Sequence, residues 1–368
     1  PLAQFSATSF TVKEPYGVAL IMSPWNYPFM LTMEPLIGAI AAGNCAVVKP
    51  SAYAPATSAV IRRILRACFP EEYIFVVEGG RAENQALLDQ RFDYIFFTGG
   101  VTVGKEVMAK AAKHLTPVTL ELGGKSPCVV DRTAKLELAA KRIAFGKLLN
   151  CGQTCVAPDY ILVERSVKDE FLVYLKKWIV RMYGADATEN DAYVKMINQK
   201  HFDRVTGLID PEKVIFGGGR NERTMQIQPT ILDDVTAEDA VMQEEIFGPI
   251  FPILSVDSMA EAEEFICKRE KPLALYLFTQ NKALAERFLR YVPFGGGCIN
   301  DTIIHLATSQ MPFGGVGESG MGCYHGKEGF ECFTHQRSMV DKKTWMDLPI
   351  RYQKYRFWKE KMLRGFLR

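Results

Sequence analysis

Short apolar runs rich in Val, Ile and Phe alternate along the chain with amphipathic stretches. The runs Gly17–Met22, Cys45–Val48, Ile74–Val77, Tyr94–Phe97 and Val118–Leu120 predict buried strands. Between them, Thr32–Ala42, Ala56–Ala67 and Val103–His114 predict helices. Such alternation implies βαβ units and a parallel sheet. It resumes later: helices over Leu136–Leu149, Val167–Tyr183, Met259–Arg269 and Lys282–Tyr291, strands over Tyr160–Val163, Lys213–Phe216, Ile250–Val256 and Leu273–Thr279. A second α/β domain follows, with the boundary where glycines interrupt the pattern at Glu121-Leu122-Gly123-Gly124-Lys125. After Gly295 the chain is dense in glycine, which implies backbone pressed close against something, or tight turns.

Length allows two or three domains at roughly 100–200 residues each. Net charge is +2, too near neutral to draw a nucleic acid by its field alone. No apolar run reaches the ~18 residues of a membrane span, and no signal-peptide pattern opens the chain. The chain starts at Pro1, which reads as processing or as a fragment of something longer. Nine cysteines, odd in number and irregularly spaced, do not make a disulfide framework; a reducing cytoplasm fits them. No histidine or cysteine spacing suggests a metal site.

Cys155 ends the segment Asn150-Cys151-Gly152-Gln153-Thr154-Cys155, between a predicted helix and a predicted strand, where a side chain can face a cleft on a fixed scaffold. The other cysteines (Cys45, Cys68, Cys128, Cys267, Cys298, Cys323 and Cys332) are expected to be small buried hydrophobes, with Cys151 a passive neighbour. Glu121 closes an apolar strand before two glycines, where burial would raise its pKa toward that of a general base. Asn26, held between aromatics and prolines, could donate to an oxyanion. Lys49 at a strand's carboxyl end, and the Gly99–Gly104 strand-to-helix turn, sit where parallel sheets meet ligands and phosphates. Glu244 or Glu245 could accept from a ribose hydroxyl. Each signal also has a plain structural reading: a turn, a solvated charge, a satisfied loop.

Taken in order, Pro24-Trp25-Asn26-Tyr27-Pro28, Lys49-Pro50-Ser51, Phe97-Thr98-Gly99, Glu121-Leu122-Gly123-Gly124-Lys125, Gly152-Gln153-Thr154-Cys155, Glu245-Ile246-Phe247-Gly248-Pro249 and Pro312-Phe313-Gly314-Gly315 resemble the aldehyde dehydrogenase superfamily. Ala111–Leu120, Val156–Tyr160, Arg269–Tyr276 and Tyr324-His325-Gly326-Lys327 resemble its class 3 branch, which handles medium-chain, fatty and aromatic aldehydes and is typically dimeric. The resemblance implies an α/β fold: a Rossmann-like parallel-sheet cofactor domain plus a second α/β catalytic domain. The expected division is 1–14 as a bridging or oligomerisation strand, 15–121 for NAD(P), 122–320 for catalysis, and 321–368 as a bridging segment with a basic aromatic tail. It implies Cys155 as nucleophile, Glu121 as general base, and Asn26 with the Cys155 N–H as oxyanion donors. Trp25, Lys49, Ser51, Gly99, Gly100, Val103, Gly104, Leu122, Glu245 and Phe247 are the implied cofactor contacts, with NAD or NADP as cofactor. Aldehyde would be oxidised to carboxylic acid through a thiohemiacetal and a thioester. The expected partners are the small-molecule aldehyde and a second copy of the chain in a homodimer, with no nucleic acid.

Two departures from the family matter. Its chains begin roughly ninety residues earlier, with helices over the cofactor domain, so exposed apolar surface is expected here. A catalytically silent nucleotide-binding fragment is therefore one alternative; a cysteine hydrolase using His305 or His325 is another. The family also often carries a Glu on the adenosine ribose where this chain has Ala52, so NADP is expected to be tolerated or preferred. The tail Arg351–Arg368 mixes aromatics with basic residues and could make a weak peripheral membrane contact, although a dimer contact or a cover over the substrate funnel is the favoured reading.

Overall fold

The apolar strand Val18–Met22 is the seed of the first sheet: its side chains alternate between two cores. Ala19 and Ile21 face the helices Met30–Ala41 and Pro55–Cys68, against Leu36, Ala39, Ile61 and Leu65. Leu20 and Met22 face the helix Val101–Ala112, against Val107 and Ala111. All of these side chains are essentially removed from water, each worth roughly 1.5–3 kcal/mol where a large aliphatic group is fully buried. A sheet covered on both faces explains why its strands read as continuous apolar runs.

The computed structural model describes residues 6–347, 352–354 and 357–366. Six strands form the first sheet, in the order Gly320–Met321, Val118–Glu121, Tyr94–Thr98, Val18–Met22, Cys45–Lys49, Ile74–Val76. All pairs are parallel except Gly320–Met321, which returns late in the chain to lie antiparallel to Val118–Glu121. Between Glu121 and Pro127 the chain passes to a seven-stranded sheet, ordered Gly296–Ile299, Ala274–Phe278, Pro127–Val130, Tyr160–Glu164, Ile250–Val256, Thr230–Leu232, Val214–Phe216. Only the last pair in it is antiparallel. Both sheets belong to one compact unit, Tyr16–Phe333. A separate unit holds the two-stranded ribbon of Ala7–Pro15 and Thr334–Lys342 and the helix Phe357–Phe366.

The expected α/β architecture with a Rossmann-like parallel sheet is present, and the strands and helices expected from periodicity lie within a few residues of their observed bounds. Unanticipated elements include the strands Pro127–Val130 and Gly296–Ile299 and the helix Arg81–Leu88. Pro127 opens its strand, a position where a missing N–H does no harm. The glycines of Gly296–Ile299 are there for close approach: a Cβ on Gly297 would overlap the Leu275 carbonyl oxygen of the neighbouring strand. All nine cysteines are free, but the expectation of burial fails for several. Cys68 and Cys267 are exposed, because each ends an amphipathic helix beyond its apolar stripe. Apolar side chains also stand at the surface, among them Ile37, Leu115 and Val173. Tyr355 and Leu367 of the basic tail lie outside the described residues.

Gly297→Ala is expected to destabilise the fold by about 1–3 kcal/mol, since overpacking against backbone cannot be relieved by a rotamer change. Gly329→Ala, where a Cβ would meet nothing, is the control and should leave the unfolding midpoint in urea essentially unmoved.

Candidate active site

The first sheet reverses strand order between Val18–Met22 and Tyr94–Thr98. Open α/β sheets bind ligands outside the carboxyl ends of their strands at such a point. A cavity of about 280 Å³ opens there, walled by Trp25, Asn26, Gly99, Gly100, Glu121, Leu122, Cys155, Glu245 and Phe247, nine of the thirteen residues singled out from sequence. The other four lie outside its walls. Lys49 is buried, its Nζ donates to the Pro50 carbonyl at 2.9 Å, and burial holds its amine below the ordinary lysine range. The Ser51 hydroxyl accepts the Tyr53 N–H at 3.2 Å. Gly104 packs beneath Leu122, and Val103 faces solvent.

Cys155 is presented by an unusual turn. After the helix Leu136–Leu148, Asn150, Cys151 and Gly152 take φ of 51°, 56° and 74° in succession. Left-handed backbone costs a non-glycine residue on the order of 1 kcal/mol or more, so other bonds must hold the turn. Asn150 Nδ2 donates to the Asn26 and Gln153 carbonyls at 3.0 and 3.2 Å. Gln153 Nε2 donates to the Asn150 and Lys195 carbonyls, both at 3.1 Å. Gly152 admits no side chain, because a Cβ there would overlap the Gly248 carbonyl oxygen. Cys151 is fully buried with its thiol on the Tyr193 hydroxyl at 3.3 Å, as expected of a passive neighbour.

Glu121 ends the strand Val118–Glu121 and is 3% exposed. Neither carboxylate oxygen has a hydrogen-bond partner among the described residues. Burial drives its pKa well above the ordinary carboxylate range. Burial, then the charges of Glu245 and Glu121, push the Cys155 thiol up to about 12. Asn26 Nδ2 spends one N–H on the Gln153 carbonyl at 3.1 Å and has a second for the cavity it lines.

Cys155 also lines a second cavity of about 360 Å³, whose walls include Met30, Leu31, Leu149, Ile303, Leu306 and Phe313. Its ionisable wall residues include Glu34 and His325, 3.4 Å apart. Cys155 thus lines two cavities, one that also carries Glu121, His201, Arg204, Glu244 and Glu245, and a second with a more apolar lining.

The loop carrying Glu245 and Phe247 is pinned from three sides. Lys125 Nζ pairs with Asp159 and donates to the Val241 and Glu244 carbonyls, both at 2.8 Å. Asp159 accepts the Ile246 N–H at 2.9 Å. Arg204 donates to the Glu245 and Ile246 carbonyls at 3.1 and 2.6 Å. Burial, with Asp159 nearby, raises Glu245 to about 8, against a lowering bond from the Gly124 N–H. Phe247 has φ 48° and meets Trp25 edge-on, ring centres 5.4 Å apart. Sequence reasoning missed His201 and Arg204, which line the same cavity from the helix Gln199–Thr206. The one available signal was that helix's strong amphipathicity, with His201 and Arg204 three residues apart.

Residues 2–339 match the family described as "Aldehyde dehydrogenase family". The chain belongs to the aldehyde dehydrogenase family. It is 50% identical over 358 residues to the 4,4'-diaponeurosporen-aldehyde dehydrogenase of Staphylococcus aureus, covering 97% of this chain and 78% of that protein. It is 50% identical over 330 residues to the "Aldehyde dehydrogenase, dimeric NADP-preferring" of Rattus norvegicus, covering 90% of this chain and 73% of that one. The structure described as the substrate-bound state of Staphylococcus aureus AldH superposes with a TM-score of 0.97 at 49% identity, covering 100% of this chain and 81% of that chain. The structure of an Escherichia coli NADP-dependent enzyme does so with a TM-score of 0.85 at 30% identity, covering 93% of this chain and 73% of that chain.

This aldehyde dehydrogenase is of the class 3 type, oxidises aldehydes to carboxylic acids and depends on NAD or NADP. The first cavity offers groups suited to a nucleotide's phosphate. The buried Thr98 hydroxyl there has no partner among the described residues, and the helix Val101–Ala112 starts from Gly100 with no side-chain cap, leaving its first N–H groups open to a phosphate.

Because the free dehydrogenase holds Cys155 as a thiol, its alkylation by iodoacetamide should be slow near neutral pH and accelerate toward about 12. Mass spectrometry of the Cys155 peptide against pH reads this out. A reaction already fast and pH-independent at neutrality would contradict the electrostatics described here.

Proposed function

We propose that Cys155 attacks the aldehyde while Glu121 activates the water that releases the acid. The observation that carries this reading is the membership of Cys155 in both cavities: the aldehyde's apolar tail occupies the second, and the nicotinamide end of the cofactor the first. The Cys155 thiolate, formed as the thiol gives its proton to solvent, adds to the carbonyl carbon, and the oxygen's growing charge falls to Asn26 Nδ2 and the Cys155 N–H. Bound NAD(P)+ supplies the hydride acceptor that turns the Cys155 thiohemiacetal into a thioester. Glu121 then takes a proton from water, the hydroxide adds to the thioester carbon, and the Cys155 thiolate leaves as the acid forms. A carboxylate without partners, its pKa raised by burial, has the basicity for that step.

For the cofactor, Trp25, Gly99, Gly100, Leu122, Glu245 and Phe247 supply the contacts in the cavity. Lys49, Ser51, Val103 and Gly104 act at or behind the adjoining strand ends. Residues 15–121 form the nucleotide domain, 122–320 the catalytic domain, and 1–14 with 321–368 the bridging segments. The substrates are medium- or long-chain aliphatic or aromatic aldehydes, matched to apolar walls such as Met30, Leu149, Ile303 and Phe313. Ala52 puts no carboxylate against a 2′-phosphate, so NADP serves at least as well as NAD. The ribbon of Ala7–Pro15 and Thr334–Lys342 exposes Phe10, Met339 and Val340, which supports a homodimer, readable by sedimentation, while nine free cysteines support a cytoplasmic setting. Among the described residues no helix is long and apolar enough to cross a membrane. The helix Phe357–Phe366 exposes Phe357, Trp358 and Met362 beside Lys359, Lys361 and Arg364, which supports weak contact with an anionic surface. Failure to sediment with anionic vesicles at low salt would remove that contact.

Cys155→Ala should abolish aldehyde oxidation. Glu121→Gln should keep a burst of reduced nicotinamide while steady turnover falls by about 10²–10⁴-fold. Loss of burst and turnover together would assign Glu121 to activating the thiol instead. In the wild type, kcat with Glu121 as base should rise with pH as that carboxyl loses its proton, along a limb above the usual carboxylate range and absent from Glu121→Gln. An NAD preference beyond about tenfold in kcat/KM would overturn the cofactor reading.

A further inference from the structure

Three separate stretches of chain meet at one buried ion pair. Lys125 lies four residues after Glu121, and Asp159 four residues after Cys155. The Lys125 side chain is 14% exposed and that of Asp159 4%. Beyond its bond to Asp159, Lys125 donates to the carbonyls of Val241 and Glu244, and Asp159 takes the N–H of Ile246. The pair therefore ties the Glu121 segment, the Cys155 segment and the 241–246 loop together. Glu245, between two of the tied residues, lies along the Gly123–Gly124 backbone, close enough that a Cβ on Gly123 would overlap its carboxylate.

Neither side chain lines the cavity that Cys155 shares with Glu121 and Glu245. A buried ion pair adds little net stability compared with apolar residues of the same shape, because desolvation of the two charges offsets their attraction. What it does provide is direction: one ammonium with three fixed acceptors and one carboxylate with two fixed donors permit a single placement of the loop.

We propose that Lys125 and Asp159 are positioning residues for the nucleotide half of the reaction, holding the 241–247 loop so that Glu245 and Phe247 stand at the cofactor cavity, without acting on the nucleophile itself. This rests on the reading of Cys155 as nucleophile and of Glu245 and Phe247 as cofactor contacts. The pair would then tune nucleotide capture and hydride transfer, and leave acyl transfer by Cys155 alone.

The experiment separates these half-functions in the full-length chain. Lys125→Met, Lys125→Arg and Asp159→Asn are assayed for KM and kcat with NAD and NADP, and for nucleotide-free hydrolysis of 4-nitrophenyl acetate. Far-UV circular dichroism and thermal melting report folding. We expect Lys125→Met and Asp159→Asn to raise the nucleotide KM at least about tenfold, with ester hydrolysis within about threefold of wild type. Lys125→Arg, which keeps a cation for Asp159, should recover most of the lost nucleotide affinity. An unchanged nucleotide KM in folded Asp159→Asn, or equal loss of ester hydrolysis and nucleotide affinity in the folded variants, would overturn the proposal. If Lys125→Met does not fold, Asp159→Asn and Lys125→Arg decide on the same criteria. Cys155→Ser serves as the separate control: dehydrogenase activity surviving in it would fell the proposed function itself, whatever the loop variants do.

Discussion

The site depends on shielding one carboxyl group from bulk solvent. Glu121 is nearly inaccessible and its two oxygens meet no donor among the described residues, a placement that costs a few kcal/mol unless the group is neutral. The scaffold must supply that energy from elsewhere, and the strand bearing it is built to do so. Val118–Glu121 is paired along both edges, by Tyr94–Thr98 and by Gly320–Met321, which comes back from the far end of the chain. Gly320 (φ 145°) makes that return possible, since a Cβ there would overlap the Leu120 carbonyl oxygen. A chain that could not close the sheet there would open the carboxyl to bulk solvent, lower its pKa and weaken it as a base.

The second requirement is a thiol that stands free of its own scaffold. The turn at Asn150–Gly152 achieves it by lifting Cys155 off the helix Leu136–Leu148, at the cost of three left-handed residues. That strain is tolerated because neighbouring side chains satisfy the turn's carbonyls and because Gly152 and Gly248 let two loops touch backbone to backbone. Such a turn has no slack: its position is set by contacts to two distant segments, the Asn26 loop and the Gly248 loop.

The architecture was largely legible in the alternation of apolar and amphipathic segments, because a parallel sheet buried on both faces forces its strands to be apolar throughout. The reading failed where that rule does not operate. Gly296–Ile299 carries glycines instead of bulky side chains, for a packing reason visible only once Leu275 lies beside it. Pro127–Val130 is too short and too close to the glycine hinge to announce itself. At the site, the residues found were those whose chemistry or glycine context is local: Cys155, Glu121, Asn26, Gly99 and Gly100. Arg204 escaped because its partners are the carbonyls of Glu245 and Ile246, and no sequence pattern encodes a bond to a distant backbone oxygen. Lys49 was singled out by its strand-end position, and its amine rests on the adjacent Pro50 carbonyl, outside the walls of the cavity beside Cys155.

The shared wall between the two cavities has a bearing on how the protein could be blocked. Cys155 is the residue that both spaces share, so a molecule occupying either one lies beside it. A reactive warhead carried on an oily stem could meet the thiol from the greasy side without competing for the nucleotide's room. Selectivity would then be set by the shape of the Met30, Leu149 and Ile303 surface, and bound nucleotide would not outcompete the compound.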